Sequence, residues 1–192
     1  MGCQYFDPCQ EGSDSFTIAI PRVTFGRACL HEAGRRAAGL GMTRVALFTD
    51  PMLRDSEPVA NVLASLGSVG INADVFDEIT IEADDDSVLR GADFINDGDF
   101  DGIVSVGGGS VMDTAKAAML YAVQPVDDFL DYFAPPLGAG KEMPARLFPH
   151  LACPTTSGTG SECTSISVLR INHLQTKFVL ANPVLMAQQA LI

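Results

Sequence analysis

Residues 106–116, VGGGSVMDTAK, carry the most chemically suggestive spacing in this chain. Gly107, Gly108 and Gly109 close an apolar run, and a helical pattern starts at once with Ser110. A phosphate needs several N–H donors aimed at it. A strand-to-helix turn exposes such donors where the helix dipole also favours negative charge. Glycines there keep side chains from holding the phosphate away, and Ser110 adds a hydroxyl expected to cap the helix. A turn that needs positive φ is served by one glycine, so three in a row favour phosphate binding. Asp113 and Lys116 stand three residues apart on the helix, as neighbours able to pair. A second string, PTTSGTGSE at 154–162, sets the hydroxyls of Thr155, Thr156, Ser157, Thr159 and Ser161 among Gly158 and Gly160. It reads either as a second polar cradle for a nucleotide or as a flexible Ser/Thr/Gly loop.

Other motifs fail on spacing. G-x-G-x-x-G would need glycine where Met112 stands, and a P-loop would need four residues followed by G-K-S/T. Met112 also breaks the G-x-S-x-G elbow. His31-Glu32 opens like H-E-x-x-H, but Arg35 occupies the second histidine position. His31, His150 and His173 are expected to be packed or solvated rather than to bind metal.

The elements that must position these residues follow from periodicity. Residues 15–26 alternate as a strand pair or hairpin interrupted by Pro21. Residues 29–41 read as a helix stopped by glycine. Strands are expected at 44–50, 72–79 and 101–107. Helices are expected at 56–70, with a Ser56 cap and Pro58 in the first turn, at 85–100 and at 110–123. Residues 124–146 are rich in Pro, Gly and Asp around a short amphipathic stretch at 127–133. Strands resume at 147–156, 164–172, 177–183 and 188–192. Alternating strand and helix means right-handed crossovers and a parallel sheet covered on both faces, an α/β fold. Ligands in such sheets bind beyond the carboxyl ends of the strands, where Asp50 and the triple glycine lie.

The chain has 192 residues, is 47% hydrophobic and carries a net charge of −12. That length suits one sizeable domain, here a tail at 1–14 and an α/β domain at 15–192. The acidic balance argues against nucleic acid and anionic membranes as partners and favours a small-molecule substrate. No apolar run is long enough to span a bilayer. The acidic N-terminus does not read as a signal or transit peptide, so a cytoplasmic location is expected. Gly2-Cys3 lacks the Ser or Thr that acylation wants at Phe6. Cys3, Cys9, Cys29, Cys153 and Cys163 are odd in number and form no C-x-x-C, which suits free thiols in a reducing compartment.

GGGSVMDTAK and PTTSGTGSE, in this order, resemble the iron-dependent (group III) alcohol dehydrogenases. VTFGRACLHEAG (23–34) is similar to that family's strand and first helix. DFLDYFAPPLGAGK (128–141) resembles its hydroxyacid-oxoacid transhydrogenase subgroup. The resemblance runs from about Tyr5 to the end. It implies the Rossmann-like N-terminal domain of the iron-alcohol-dehydrogenase and dehydroquinate-synthase type, with NAD as cofactor and a helical domain holding divalent iron or zinc in the full-length enzyme. It also leaves room for a homo-oligomer. By the resemblance, Gly107, Gly108, Gly109 and Ser110 hold the pyrophosphate, and Thr155, Thr156 and Thr159 line the nucleotide site. Lys177 matches a lysine that reaches the nicotinamide ribose. Asp50 matches the acid facing the adenine ribose, where a carboxylate favours NAD over NADP; a turn cap is its other reading. The family's metal ligands, one aspartate and three histidines, lie downstream of a strand like QQALI (188–192), and no histidine here matches one. The expectation is therefore the cofactor half of a hydride-transfer enzyme, truncated before its helical metal domain and inactive without it. A stand-alone nucleotide-binding module and an inactive remnant are the other readings.

Overall fold

A computed structural model describes residues 19–192. The 1–14 tail, Cys3, Cys9, the Gly2-Cys3 motif and the start of the expected 15–26 hairpin lie outside the described residues. Among the described residues, eight strands and four α-helices follow one another: β1 (Arg22–Thr24), α1 (Ala33–Gly39), β2 (Arg44–Phe48), α2 (Glu57–Ser68), β3 (Asn72–Phe76), α3 (Asp85–Asp97), β4 (Gly102–Gly107), α4 (Gly109–Val123), β5 (His150–Pro154), β6 (Ile166–Ile171), β7 (Thr176–Ala181) and β8 (Gln189–Leu191). Six strands form one parallel sheet in the order β1-β8-β5-β4-β2-β3.

The sheet is covered on both faces, as the near-continuous apolar runs of its central strands require. Side chains alternate between two cores. Ala46, Phe48 and Ile103 join α3, α4 and the β6–β7 region, whereas Val45, Leu47, Val104 and Val106 join α1 and α2. All six residues of β4 are buried. The following α4 is buried from Val111 to Tyr121, so it is the central helix of its layer. On the opposite face α1 and α2 approach so closely that a Cβ on Gly34 would lie 2.1 Å from the Ser65 carbonyl oxygen. The Gly34 N–H donates to Ser65 Oγ at 2.9 Å.

Of the 15–26 segment, the described residues hold one short strand, which pairs in parallel with β8. One local expectation is corrected. Ser56 precedes α2 but its hydroxyl makes no capping bond and is buried without a partner. The Asp84 carboxylate does cap α3, accepting from the Ser87 N–H at 2.8 Å. The strands expected at 164–172 and 177–183 exist as β6 and β7. They pair with each other, antiparallel, outside the main sheet.

Candidate functional site

Parallel strands place all their carboxyl ends on one edge, so the two glycine-rich strings become neighbours in space. β4 and β5 are adjacent and in register, Gly107 opposite Pro154, and the Thr155 N–H donates to the Gly107 carbonyl at 3.0 Å. Thr155, Thr156 and Thr159 are thereby laid beside the turn into α4. On the other side β2 pairs with β4 as far as Phe48 opposite Ser105. Asp50, two residues on, therefore reaches the same edge. Its Oδ1 accepts from the Met52 and Leu53 N–H groups at 2.9 and 3.0 Å, so the carboxylate caps the turn that follows β2.

The three glycines are not there for positive φ. Left-handed glycines occur instead in the second string, at Gly158 (φ 126) and Gly160 (φ 65), where any side chain would be strained. The turn glycines serve close packing. A Cβ at Gly107 would come within 2.5 Å of Val111 Cγ2, and one at Gly108 within 3.1 Å of Thr156 Oγ1. One at Gly109 would meet Thr159 Cγ2 at 3.0 Å and Ser161 Oγ at 3.2 Å. The expected open cradle is thus partly filled by the second string, which leans onto the turn. The first N–H groups of α4 still have no partner within the helix, as at any helix start.

Ser110 does not cap α4; Gly108 occupies that position. The Ser110 hydroxyl accepts from the Glu82 N–H at 3.1 Å. Asp113 and Lys116 form no ion pair with each other within 4.0 Å, because tertiary partners claim both. Lys116 is fully buried, and its Nζ donates to the carbonyls of Ser161 (2.6 Å), Thr164 (2.8 Å) and Ile166 (3.0 Å). Asp113 Oδ2 accepts from the Val168 N–H at 3.0 Å, and Ser167 Oγ donates to the Asp113 carbonyl at 2.8 Å. The D-x-x-K spacing therefore hooks the segment from Ser161 to Val168, and with it the second string, onto α4. Burial raises the Asp113 carboxyl above the ordinary carboxylate value, against the Val168 N–H and the Lys116 charge. Burial also pulls the Lys116 ammonium down to about 8, against the charges of Asp113 and Glu162.

A cavity of about 270 Å³ opens at this helix start. Of the residues expected to bind cofactor, Gly109, Ser110, Thr159 and Lys177 line it. Gly107, Gly108, Thr155, Thr156 and Asp50 follow the same sheet edge outside it. Sequence reasoning missed Glu82, which also lines the cavity. Its carboxylate lies 2.8 Å from Lys177 Nζ, and this hydrogen bond and charge hold the carboxyl below its ordinary value. Glu82 is at φ 70, a left-handed conformation unusual for a residue with a side chain. Nothing in the stretch ITIEADDD marks it.

Among the described residues no three His, Cys, Asp or Glu side chains converge to hold a metal ion. His31 and His173 are exposed. His150 is buried on β5, bonded through Nε2 to Ser105 Oγ at 2.8 Å, and burial holds it neutral down to about 3. Cys29, Cys153 and Cys163 are free thiols. No described helix is long and apolar enough to cross a membrane.

Comparison with known proteins adds to this geometry. The sequence pattern of the family described as iron-containing alcohol dehydrogenase matches residues 21–192. The hydroxyacid-oxoacid transhydrogenase, mitochondrial, of Mus musculus is 40% identical over 168 residues, covering 88% of this chain and 36% of that protein. The Homo sapiens protein of the same name is 42% identical over 163 residues, 85% of this chain and 35% of its own length. The chain thus spans about a third of the length of these relatives. Among solved structures, a 1,3-propanediol oxidoreductase superposes with a TM-score of 0.84 at 28% identity, over 92% of this chain and 45% of that one. A sulfoacetaldehyde reductase from Bifidobacterium kashiwanohense, solved in complex with NAD+, gives 0.82 at 29% identity, over 93% and 46%.

Proposed function

The chain belongs to the iron-containing alcohol dehydrogenase family, and from that premise we propose that its described residues form the NAD-binding part of a hydroxyacid-oxoacid transhydrogenase. The observation that carries the reading is the convergence of two sequence-distant strings, 107–110 and 155–161, at one end of a parallel sheet, beside a cavity at the start of α4. The residues present fit a dinucleotide. Unpaired backbone N–H groups at the start of α4 face the edge where ligands of such sheets bind, and the dipole there favours a pyrophosphate. Thr155, Thr156 and Thr159 offer hydroxyls beside that turn, and Lys177 offers an ammonium at the cavity wall. Asp50, at the end of β2, has its second carboxylate oxygen to offer the adenine ribose. A carboxylate there welcomes two hydroxyls and repels a 2′-phosphate, which selects NAD over NADP.

When bound, the nicotinamide would carry the hydride between a hydroxy acid such as 4-hydroxybutyrate and an oxo acid such as 2-oxoglutarate. This chain's own residues bind and orient that carrier. Lys116 and Asp113 hold the second string against the glycine turn, so the wall facing the cofactor is set before binding. The divalent metal that the family implies does not fit the described residues, which offer no ligand set for it. We propose that the described residues by themselves have no metal-dependent turnover.

Calorimetry with NAD and NADP tests the binding reading. Micromolar or tighter binding of NAD, weaker for NADP, supports it; no heat with either overturns it. Assaying the same protein with Fe(II) or Zn(II), NAD and 4-hydroxybutyrate tests the second statement, which a chelator-sensitive NADH signal would refute. We propose a cytoplasmic location, although the relatives are named mitochondrial; subcellular fractionation decides between the two.

A further inference from the structure

Glu82 and Lys177 form an ion pair in the cavity wall. Its two residues lie 95 positions apart and come from different layers: Glu82 from the loop between β3 and α3, Lys177 from β7. Two further contacts fix the Glu82 loop. The Glu82 N–H reaches Ser110 Oγ at 3.1 Å, and a bridge joins Asp84 to Arg170. The loop is therefore tied to both α4 and the β6–β7 pair, and it carries Glu82 in a left-handed conformation. The result is a hydrogen-bond acceptor and a donor side by side, each about half exposed, on the wall of one cavity.

A vicinal diol asks for that combination, because each hydroxyl both donates and accepts. A lone lysine can only donate. A carboxylate beside it accepts from a hydroxyl in a charge-assisted bond. We propose that Glu82 is a ribose-binding residue that acts with Lys177 as a donor–acceptor clamp on the nicotinamide-side ribose, and that its negative charge favours the oxidised over the reduced cofactor. The proposal rests on the reading of this edge as an NAD site. The charge argument follows from the cofactor itself. The oxidised nicotinamide ring is cationic and the reduced ring is neutral, so a nearby carboxylate attracts only the former.

The test titrates NAD+ and NADH into the chain and into Glu82→Gln, Lys177→Met and the double variant, by calorimetry. Glu82→Gln keeps the backbone N–H that reaches Ser110, removes the charge and turns one acceptor oxygen into an amide donor. Thermal melting confirms that each variant is folded, and Lys177→Met reports on the same clamp from its other side. We expect Glu82→Gln to weaken NAD+ by about tenfold, the scale of one charge-assisted bond, and NADH by distinctly less. The double variant should lose less than the product of the single losses, because the pair acts as a unit. If the chain binds NAD+ but Glu82→Gln binds both forms as well as the parent or better, Glu82 is only a counter-ion for Lys177 and the clamp is wrong. If the parent binds neither form, the NAD reading itself falls and the clamp with it.

Discussion

Replacing Lys116 by methionine separates two opposed contributions that the buried ammonium makes. Its three carbonyl partners, on Ser161, Thr164 and Ile166, would lose their donors. A buried acceptor left unpaired costs about 1–3 kcal/mol. The bonds to Thr164 and Ile166 are only partly buried, so those two carbonyls can recover water. Against this, the parent carries the cost of keeping a charge dry. The distance between the ordinary lysine value of 10.5 and about 8 in the fold corresponds to about 3 kcal/mol at 1.36 kcal/mol per pH unit, and methionine removes that cost at neutral pH. The orphaned carbonyls and the loosened second string should prevail, leaving Lys116→Met less stable by about 2 kcal/mol, a fall in Tm of about 4–8 °C for a chain this size. The pH dependence carries the sign. Between about pH 8 and 10.5 the unfolded lysine binds a proton that the folded one has released, so this group makes the parent more stable as pH rises through that window. Tyr121 and Cys153, both pushed up by burial, titrate in parent and variant alike and cancel in the difference. Urea unfolding of both proteins at pH 7, 8, 9 and 10 measures it. If the stability difference between parent and variant stays constant across that range, Lys116 is not a buried charge held at a cost; if the variant is as stable as the parent at pH 7, its role as an anchor of the second string is refuted.

Three other outcomes follow from the geometry. Gly109→Ala places a methyl 3.0 Å from Thr159 Cγ2 and 3.2 Å from Ser161 Oγ; it should push the second string off the turn and weaken NAD by about tenfold (about 1.4 kcal/mol), as calorimetry would show, while the protein stays folded. Asp50→Gly removes both the turn cap and the proposed ribose acceptor, so it should narrow the NAD-to-NADP affinity ratio and cost only about 0.3 kcal/mol in urea unfolding; an unchanged ratio would leave Asp50 as a cap only. Gly34→Ala should destabilise by about 3 kcal/mol through overpacking, since its methyl would overlap the Ser65 carbonyl; a melting temperature equal to the parent's would show that α1 and α2 slide apart freely.

The sheet core was readable because β2 and β4 are buried on both faces and so show as short unbroken apolar runs ending in acid or glycine. Local rules also found α4 and the two strings. What they could not supply was pairing between distant segments. Alternation at 15–26 marks a strand but says nothing of the partner that β1 takes in β8, where Arg22 stands opposite Gln189. β6 and β7 read as strands, yet nothing in their composition says they leave the main sheet. The D-x-x-K spacing put Asp113 and Lys116 on one helix face and suggested that they satisfy each other; backbone groups of the Ser161–Val168 segment reach them instead. Ser56 had the right residue type for a cap, but its hydroxyl points elsewhere. Glu82 was invisible because its role comes from contacts with Ser110 and Lys177, 28 and 95 residues away.

The sheet order has a consequence for how the chain acquires its fold during synthesis. β8 is the last of the described strands to be made, yet it lies between β1 and β5, and among the described residues β1 has no other partner in the sheet. Synthesis runs from the N-terminus at about 5–20 residues per second, so β2, β3, β4 and β5 can assemble while Gln189–Leu191 are still unmade. Until then the free side of β5 is an unpaired edge inside the future sheet, of the kind that invites pairing with another chain. Arg22–Thr24, among the first of the described residues to leave the ribosome, must wait for β8 before this pairing can form.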